Sequence, residues 1–316
     1  MCTSVRFSDN NGNMYFGRNL DWTVGYGQKV VLTPRDYNYH SAFLGEMKPK
    51  HGAIIGMAIV EENTPLYFDC YNEAGLGIAG LNFPGYAAYA PEAIDGKTNI
   101  AAYEFPLWVT LNFATVDEVE EALKNAAIVA KPINDKFPVS ELHFIIGDSK
   151  RSIVVEYTDK GMEIFKNDVD VLTNQPGYAW HKENLRNYMN LSPKHPHDVK
   201  WGKAEMVPFG SGSMMRGIPG DYYSPSRFVR VAYLNTHYPT KDTEKDNVIR
   251  LFHTLSGVAM IDGAAAMDEN SFEKTIYTGG YSSASKTYYY NTYDNPSILR
   301  VSMGDYDLDK SELIQV

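Results

Sequence analysis

The sequence predicts an α+β protein in which two antiparallel sheets stack on each other with helices outside. Three observations lead there. Much of the 316-residue chain reads as short strands of β-branched or aromatic alternation joined by tight turns. Hairpins recur, which implies antiparallel pairing, and several of their strands are apolar on both faces, so layers must cover both sides. Helical periodicity is confined to a few amphipathic stretches.

The elements follow in order. Cys2 to Phe7, a turn rich in Asn, Asp and Gly (Asp9 to Asn13), and Met14 to Asn19 form the opening hairpin. A second hairpin, LYFDCYNEAGLGIAGLNF, turns at Asn72 to Gly75, and a third, LHFIIGDSKRSIVVEY, turns near Asp148 to Arg151. KTYYYNTYDNPSILRVSM reads as two further strands around Asp294-Asn295-Pro296. Thr115 and Glu118 make a capping box ahead of Val119, Leu123 and Ala127 at helical spacing. From Asn247, the residues Val248, Leu251, Phe252 and Leu255 share one stripe that stops at Gly257. Weaker helical patterns run from Trp180 to Leu191 and from Ser226 to Leu234. Residues 192–225, loaded with Pro, Gly, Ser and Met, read as a long loop excursion from one domain spanning residues 1–316.

Composition excludes several classes. With 29 basic against 39 acidic residues the formal charge is −10, which argues against non-specific nucleic-acid binding. No run approaches the ~20 apolar residues of a membrane helix, and polar residues from Arg6 to Asn11 break any signal-peptide core. Two cysteines make no disulfide scaffold, so the expected compartment is the reducing cytoplasm. His195-Pro196-His197 lacks companion metal ligands, the short glycine stretches at 25–27 and 210–213 lack phosphate-loop context, and Cys70 reads as a buried, inert thiol.

Cys2, directly after the initiator methionine, points to chemistry. A thiol is nucleophilic as thiolate, and an unperturbed one is mostly protonated at neutral pH. Trimming Met1 would free an α-amine with a pKa of about 7.7–8.0 on the same residue, a general base attached to its own nucleophile. If Cys2 pairs across the hairpin from Arg18, with Ser4 opposite Phe16 and Arg6 opposite Met14, Arg18 lies beside the thiol and favours the thiolate. A slip of one residue would send Arg18 to the other face. Asp21 could hold the new ammonium.

MCTSVRFSDNNGNMYFGRNLDW resembles the N-terminus of the choloylglycine hydrolase family of N-terminal nucleophile amidases, which comprises bile salt hydrolases and penicillin V acylases. The likeness continues through NEAGLGIAGLNFPG (Asn72 to Gly85), TNQP (Thr173 to Pro176) and SPSRF (Ser224 to Phe228), in the family's order and spacing. The resemblance implies a four-layer αββα sandwich, no cofactor or metal, and a homotetramer built partly through the 192–225 loop. It implies Cys2 as nucleophile, Arg18 and Asp21 as the charged pair that tunes it, Asn82 and Asn174 as oxyanion donors, and Arg227 as a further active-site arginine. Leu20, Trp22, Phe68, Ile133 and Leu142 match positions that line an apolar steroid pocket. Asparagine at position 82 leans toward bile salt hydrolases, since penicillin V acylases often carry tyrosine there.

The expected activity is therefore hydrolysis of the amide of glycine- or taurine-conjugated bile salts. Its rivals are acylases of penicillin V or N-acyl homoserine lactones, and a non-catalytic binder of amphipathic acids that keeps Met1.

Overall fold

The computed structural model describes residues 1–316. Two large sheets dominate it. The six-stranded sheet runs Val171–Leu172, Cys2–Ser8, Met14–Trp22, Lys274–Ser282, Thr287–Thr292 and Leu299–Ser302. The eight-stranded sheet runs Gly161–Lys166, Ser152–Thr158, Leu142–Gly147, Gly77–Asn82, Thr64–Asn72, Ile54–Glu61, Lys29–Thr33 and Ile314–Gln315. Every pairing within both is antiparallel.

Helices cover the outer faces. α1 (Phe105–Asn112) and α2 (Val116–Leu123) belong to the apolar cluster of the eight-stranded sheet, with Trp108 and Val119 beside Ile54 and Ile78. α4 (Ser224–His237) and α5 (Glu244–Ser256) cover the six-stranded sheet, packing Phe228 and Leu251 into a second cluster with Phe16 and Tyr281. Helix α5 sits so close that a Cβ on Gly280 would stand 2.4 Å from Leu251 Cδ2. The second cluster extends between the sheets, where Phe16 packs edge-on to Tyr71 at 5.4 Å. This is the αββα sandwich. α3 (Tyr178–Asn184) adjoins α4.

The predicted hairpins form, each with its turn where the sequence put it. Pairing in the first is offset from the expected register by two residues. Cys2 opposes Leu20, Ser4 opposes Arg18 and Arg6 opposes Phe16. The reason lies in the turn: Asp9 Oδ1 accepts from the backbone N–H of both Asn11 and Asn13 at 2.9 Å, closing a five-residue loop. The ladder therefore starts at Ser8 and Met14. An even offset preserves faces, so Cys2 and Arg18 remain on the same side.

The capping box at Thr115 and Glu118 forms, but its helix ends at Leu123, and Ala127 belongs to a short strand (Ala126–Val129) paired in parallel with Thr98–Ala101. Helix α1 gave no periodic signal because seven of its eight residues, Phe105 to Leu111, are buried. Residues 192–225 hold a two-stranded ribbon, Val199–Trp201 with Ala204–Met206, and a short 3-10 turn at Ser213–Met215. No helix is long and apolar enough to cross a membrane.

Candidate active site

Cys2 begins the first strand and is 4% exposed. All its polar atoms are engaged. Its N–H donates to Asn174 Oδ1 at 2.8 Å, its carbonyl accepts from Arg227 Nη1 at 2.5 Å, and its Sγ accepts from Arg18 Nη2 at 2.6 Å. Arg18 is fully buried in the second strand, and its Nη1 donates to the carbonyls of Phe68 and Gly80 at 3.0 and 2.7 Å. Those carbonyls belong to the facing sheet, so Arg18 bridges the layers and is fixed at both ends. Burial works against its charge, but Cys2, Tyr277, Asp69 and Asp21 more than offset that and hold its pKa above the ordinary value.

Asp21 is the last residue but one of the same strand. Its Oδ1 accepts from Thr275 Oγ at 2.6 Å, while Oδ2 is buried without a hydrogen bond, 4.0 Å from Arg227 Nη1. Burial pushes its carboxyl above the usual carboxylate range, against Arg227, the terminal ammonium, Thr275 and Arg18. With Met1 in place, the α-ammonium does not use this carboxylate. It donates to the Asp21 carbonyl at 2.5 Å and to Glu273 Oε1 at 2.8 Å.

Asn174 lies on the turn after the edge strand Val171–Leu172. Its Oδ1 accepts from both Cys2 N and Arg227 Nη2, and its Nδ2 donates to the Asn82 carbonyl at 2.7 Å. The turn is anchored from three sides. Asn174 N–H donates to Ser224 Oγ at 3.0 Å, His181 Nε2 donates to the Asn174 carbonyl at 2.8 Å, and His143 Nε2 donates to the Thr173 carbonyl at 2.9 Å. His143 is braced in turn by Glu156 at 3.1 Å. This explains the SPSRF block: Ser224 secures the asparagine turn, and Arg227, on the first turn of α4, reaches Cys2, Thr3 and Asn174 together. The Asn82 side-chain amide makes no hydrogen bond within the chain and lines a cavity.

That cavity, about 440 Å³, opens over the thiol. It falls within the range of small-molecule sites, roughly 300–1,000 Å³. Cys2, Arg18, Asp21 and Asn82 line it together with Leu20, Trp22, Phe68, Ile133 and Leu142, and Lys136 and Ser140 add polar groups to an otherwise largely apolar wall. Sequence reasoning missed Ile59, Leu66, Phe137 and Val139 on the same walls, because loop and strand residues that converge only in space carry no local signal. It also missed Glu273, His143 and His181. No group of three or more His, Cys, Asp or Glu could hold a metal ion.

A four-layer αββα sandwich with a buried thiol at the head of its first strand, facing a largely apolar cavity, defines an N-terminal nucleophile hydrolase fold. The chain belongs to the linear amide C–N hydrolases, choloylglycine hydrolase family, whose sequence profile matches residues 2–316. It is 55% identical over 316 residues to a bile salt hydrolase/transferase of Bifidobacterium longum, covering 100% of this chain and 99% of that one. It is 47% identical to a conjugated bile acid hydrolase of Lactobacillus acidophilus, covering 99% of each. Among solved structures, a C2A mutant of the conjugated bile acid hydrolase of Clostridium perfringens superposes with a TM-score of 0.93 at 38% identity, covering 100% of this chain and 96% of that one.

Proposed function

We propose that the protein hydrolyses the amide bond of glycine- or taurine-conjugated bile salts, with Cys2 as nucleophile. The observation that carries this reading is the buried Cys2 sulfur, held by Arg18 at a largely apolar cavity of about 440 Å³.

Removal of Met1 converts the Cys2 peptide nitrogen into a free amine beside Asn174 Oδ1. The neutral amine takes the thiol proton, and Arg18 stands against the sulfur as negative charge forms there. Sulfur attacks the amide carbon, and the carbonyl π electrons move to oxygen. The Asn82 side-chain amide, uncommitted and lining the cavity, donates to that oxyanion. Asn174, buried behind the cavity wall with one Nδ2 N–H on the Asn82 carbonyl, has its second N–H left as the other donor. Collapse breaks the C–N bond, the ammonium of Cys2 protonates the departing glycine or taurine nitrogen, and a thioester remains. Water, deprotonated by the same amine, adds to the thioester and releases the bile acid and the thiol. Arg227 and Asp21 orient the terminus throughout.

One observation favours the rival binder. Met1 is well accommodated, its ammonium doubly bonded and its carbonyl accepting from Asp21 N–H at 2.8 Å. A chain that kept it would have an amide where the base is needed. Intact mass, with parallel incubation on glycocholate, taurocholate and penicillin V, decides. Release of glycine or taurine by a protein lacking Met1 is expected. No amino acid from either bile salt, with penicillin V cleaved, would favour the acylase, and a Met1-bearing protein inert on all three would favour the binder.

The same reading takes residues 1–316 as one cytoplasmic domain that assembles as a homotetramer. Trp201, Val207 and Phe209 stand exposed on the 192–225 excursion and supply an apolar contact surface. Light scattering should give four times the chain mass, and Trp201→Glu should lower it.

A further inference from the structure

Glu273 is 2% exposed and lies just before the Lys274–Ser282 strand, which pairs with the strand ending in Asp21 and Trp22. Its carboxylate accepts one hydrogen bond from the chain, that of the Met1 ammonium at 2.8 Å. The adjacent Lys274 turns away to Asp262 at 3.2 Å. A buried carboxylate is costly without a cationic partner, and its one direct partner here is the N-terminus. Arg227 feels its charge from farther off. When Met1 leaves, the amine moves to Cys2 N, at most about 4 Å along the backbone, so Glu273 Oε1 stays within about 7 Å of it.

We propose that Glu273 is a positioning residue of the reaction, its carboxylate holding the freed α-amine of Cys2 and setting the pH at which that amine becomes a base. This rests on the reading of Cys2 as nucleophile and base given above. The charged and titratable groups facing the terminus are Asp21 and Arg18 from the second strand, Arg227 from α4, Tyr277 from the Lys274–Ser282 strand, the Cys2 thiol and Glu273, with Asp69 of the facing sheet coupled to Arg18 and bonded to Tyr277 behind them. Neutralising Glu273 removes one negative charge from this set, which disfavours the ammonium and lets the amine deprotonate at lower pH.

The test compares Met1-free wild type with Glu273→Gln and Glu273→Asp, Met1 being cut by methionine aminopeptidase where the mass shows it retained. In Glu273→Gln the acid limb of the kcat/KM profile on glycocholate should move down by on the order of one pH unit. Glu273→Asp, which keeps the charge one methylene farther off, should move it less and in the same direction. The pH dependence of Cys2 alkylation by iodoacetamide should move likewise, and it needs no bile salt. Limbs that coincide between wild type and Glu273→Gln overturn the proposal. Should Glu273→Gln fail to fold, an unmoved limb in Glu273→Asp overturns it equally. A wild type inert on every amide whose alkylation limb still moves with Glu273 would refute the proposed substrate and leave this role standing.

Discussion

Arg18 Nη2 reaches Cys2 Sγ at 2.6 Å as a diagonal neighbour, with Ser4 directly opposite Arg18 in the ladder and Leu20 directly opposite Cys2. Diagonal partners on one face lie within reach of long side chains. The guanidinium thus approaches the sulfur from the next rung, keeping its other nitrogen on the Phe68 and Gly80 carbonyls of the facing sheet. One residue therefore couples the proposed nucleophile to the sheet-on-sheet packing.

Replacing Arg18 should act on the thiol more than on the cavity. In Arg18→Gln the sulfur loses a fixed cation, so alkylation of Cys2 by iodoacetamide at pH 7 should slow by on the order of 10²-fold. kcat should fall in parallel while KM for a bile salt changes little. An unchanged alkylation rate would show that Arg18 serves packing alone.

The two asparagines should separate in their effects. Asn82 offers a side-chain amide that makes no hydrogen bond within the chain, so Asn82→Ala should lower kcat by about 10²–10³-fold. Its thermal stability should change by no more than about 0.5 kcal/mol. Asn174 Oδ1 and Nδ2 hold Cys2, Arg227 and Asn82. Asn174→Ala should therefore lose about 2–4 kcal/mol of stability along with activity. Paired kinetics and thermal melts distinguish the cases, and equal melting losses in both variants would refute this assignment.

How much of this was legible follows from where each signal sits. The hairpins announced themselves because turn residues and alternation are local. Cys2 and Arg18 could be placed on one face because face parity survives an even error in register. The error itself came from the Asp9 side chain, whose two hydrogen bonds tighten the turn to five residues and extend the ladder to Ser8 and Met14 in a way that composition alone does not show. Helix α1 was invisible for the opposite reason: burial on all sides erases amphipathic periodicity. Glu273 is 252 residues from Asp21 in sequence and meets the terminus only through the pairing of the second strand with Lys274–Ser282. His143 and His181 likewise act on the Thr173-Asn174 turn through the tertiary fold.

His181 gives the site a pH-dependent support. It is buried against Phe228, and burial lowers its pKa to about 4 despite the Asn174 carbonyl. In the unfolded chain it titrates near 6.5. The native imidazole is neutral where the unfolded one is charged, so between those values the unfolded state binds more protons. Stability is then present in full above about pH 6.5 and is lost as pH falls toward 4, by up to about 3 kcal/mol. Thermal melts of wild type and His181→Gln across pH 4–7 should converge at the acid end, and parallel curves would rule out the histidine as their source.

The cavity wall should govern binding rather than chemistry. Phe68 presents its ring to the cavity beside Tyr26, with ring centroids 5.6 Å apart, while its carbonyl holds Arg18. Phe68→Ala removes apolar surface and leaves that carbonyl in place. A steroid bound equally in ground and transition states would lose about 1.5–3 kcal/mol of contact, so KM for glycocholate should rise by roughly 10–100-fold with kcat within a factor of about three. A short acyl-glycine that does not fill the cavity should show no such increase. The contrast between the two substrates is the measurement, and a fall in kcat shared by both would mean that Phe68 serves Arg18 rather than the substrate.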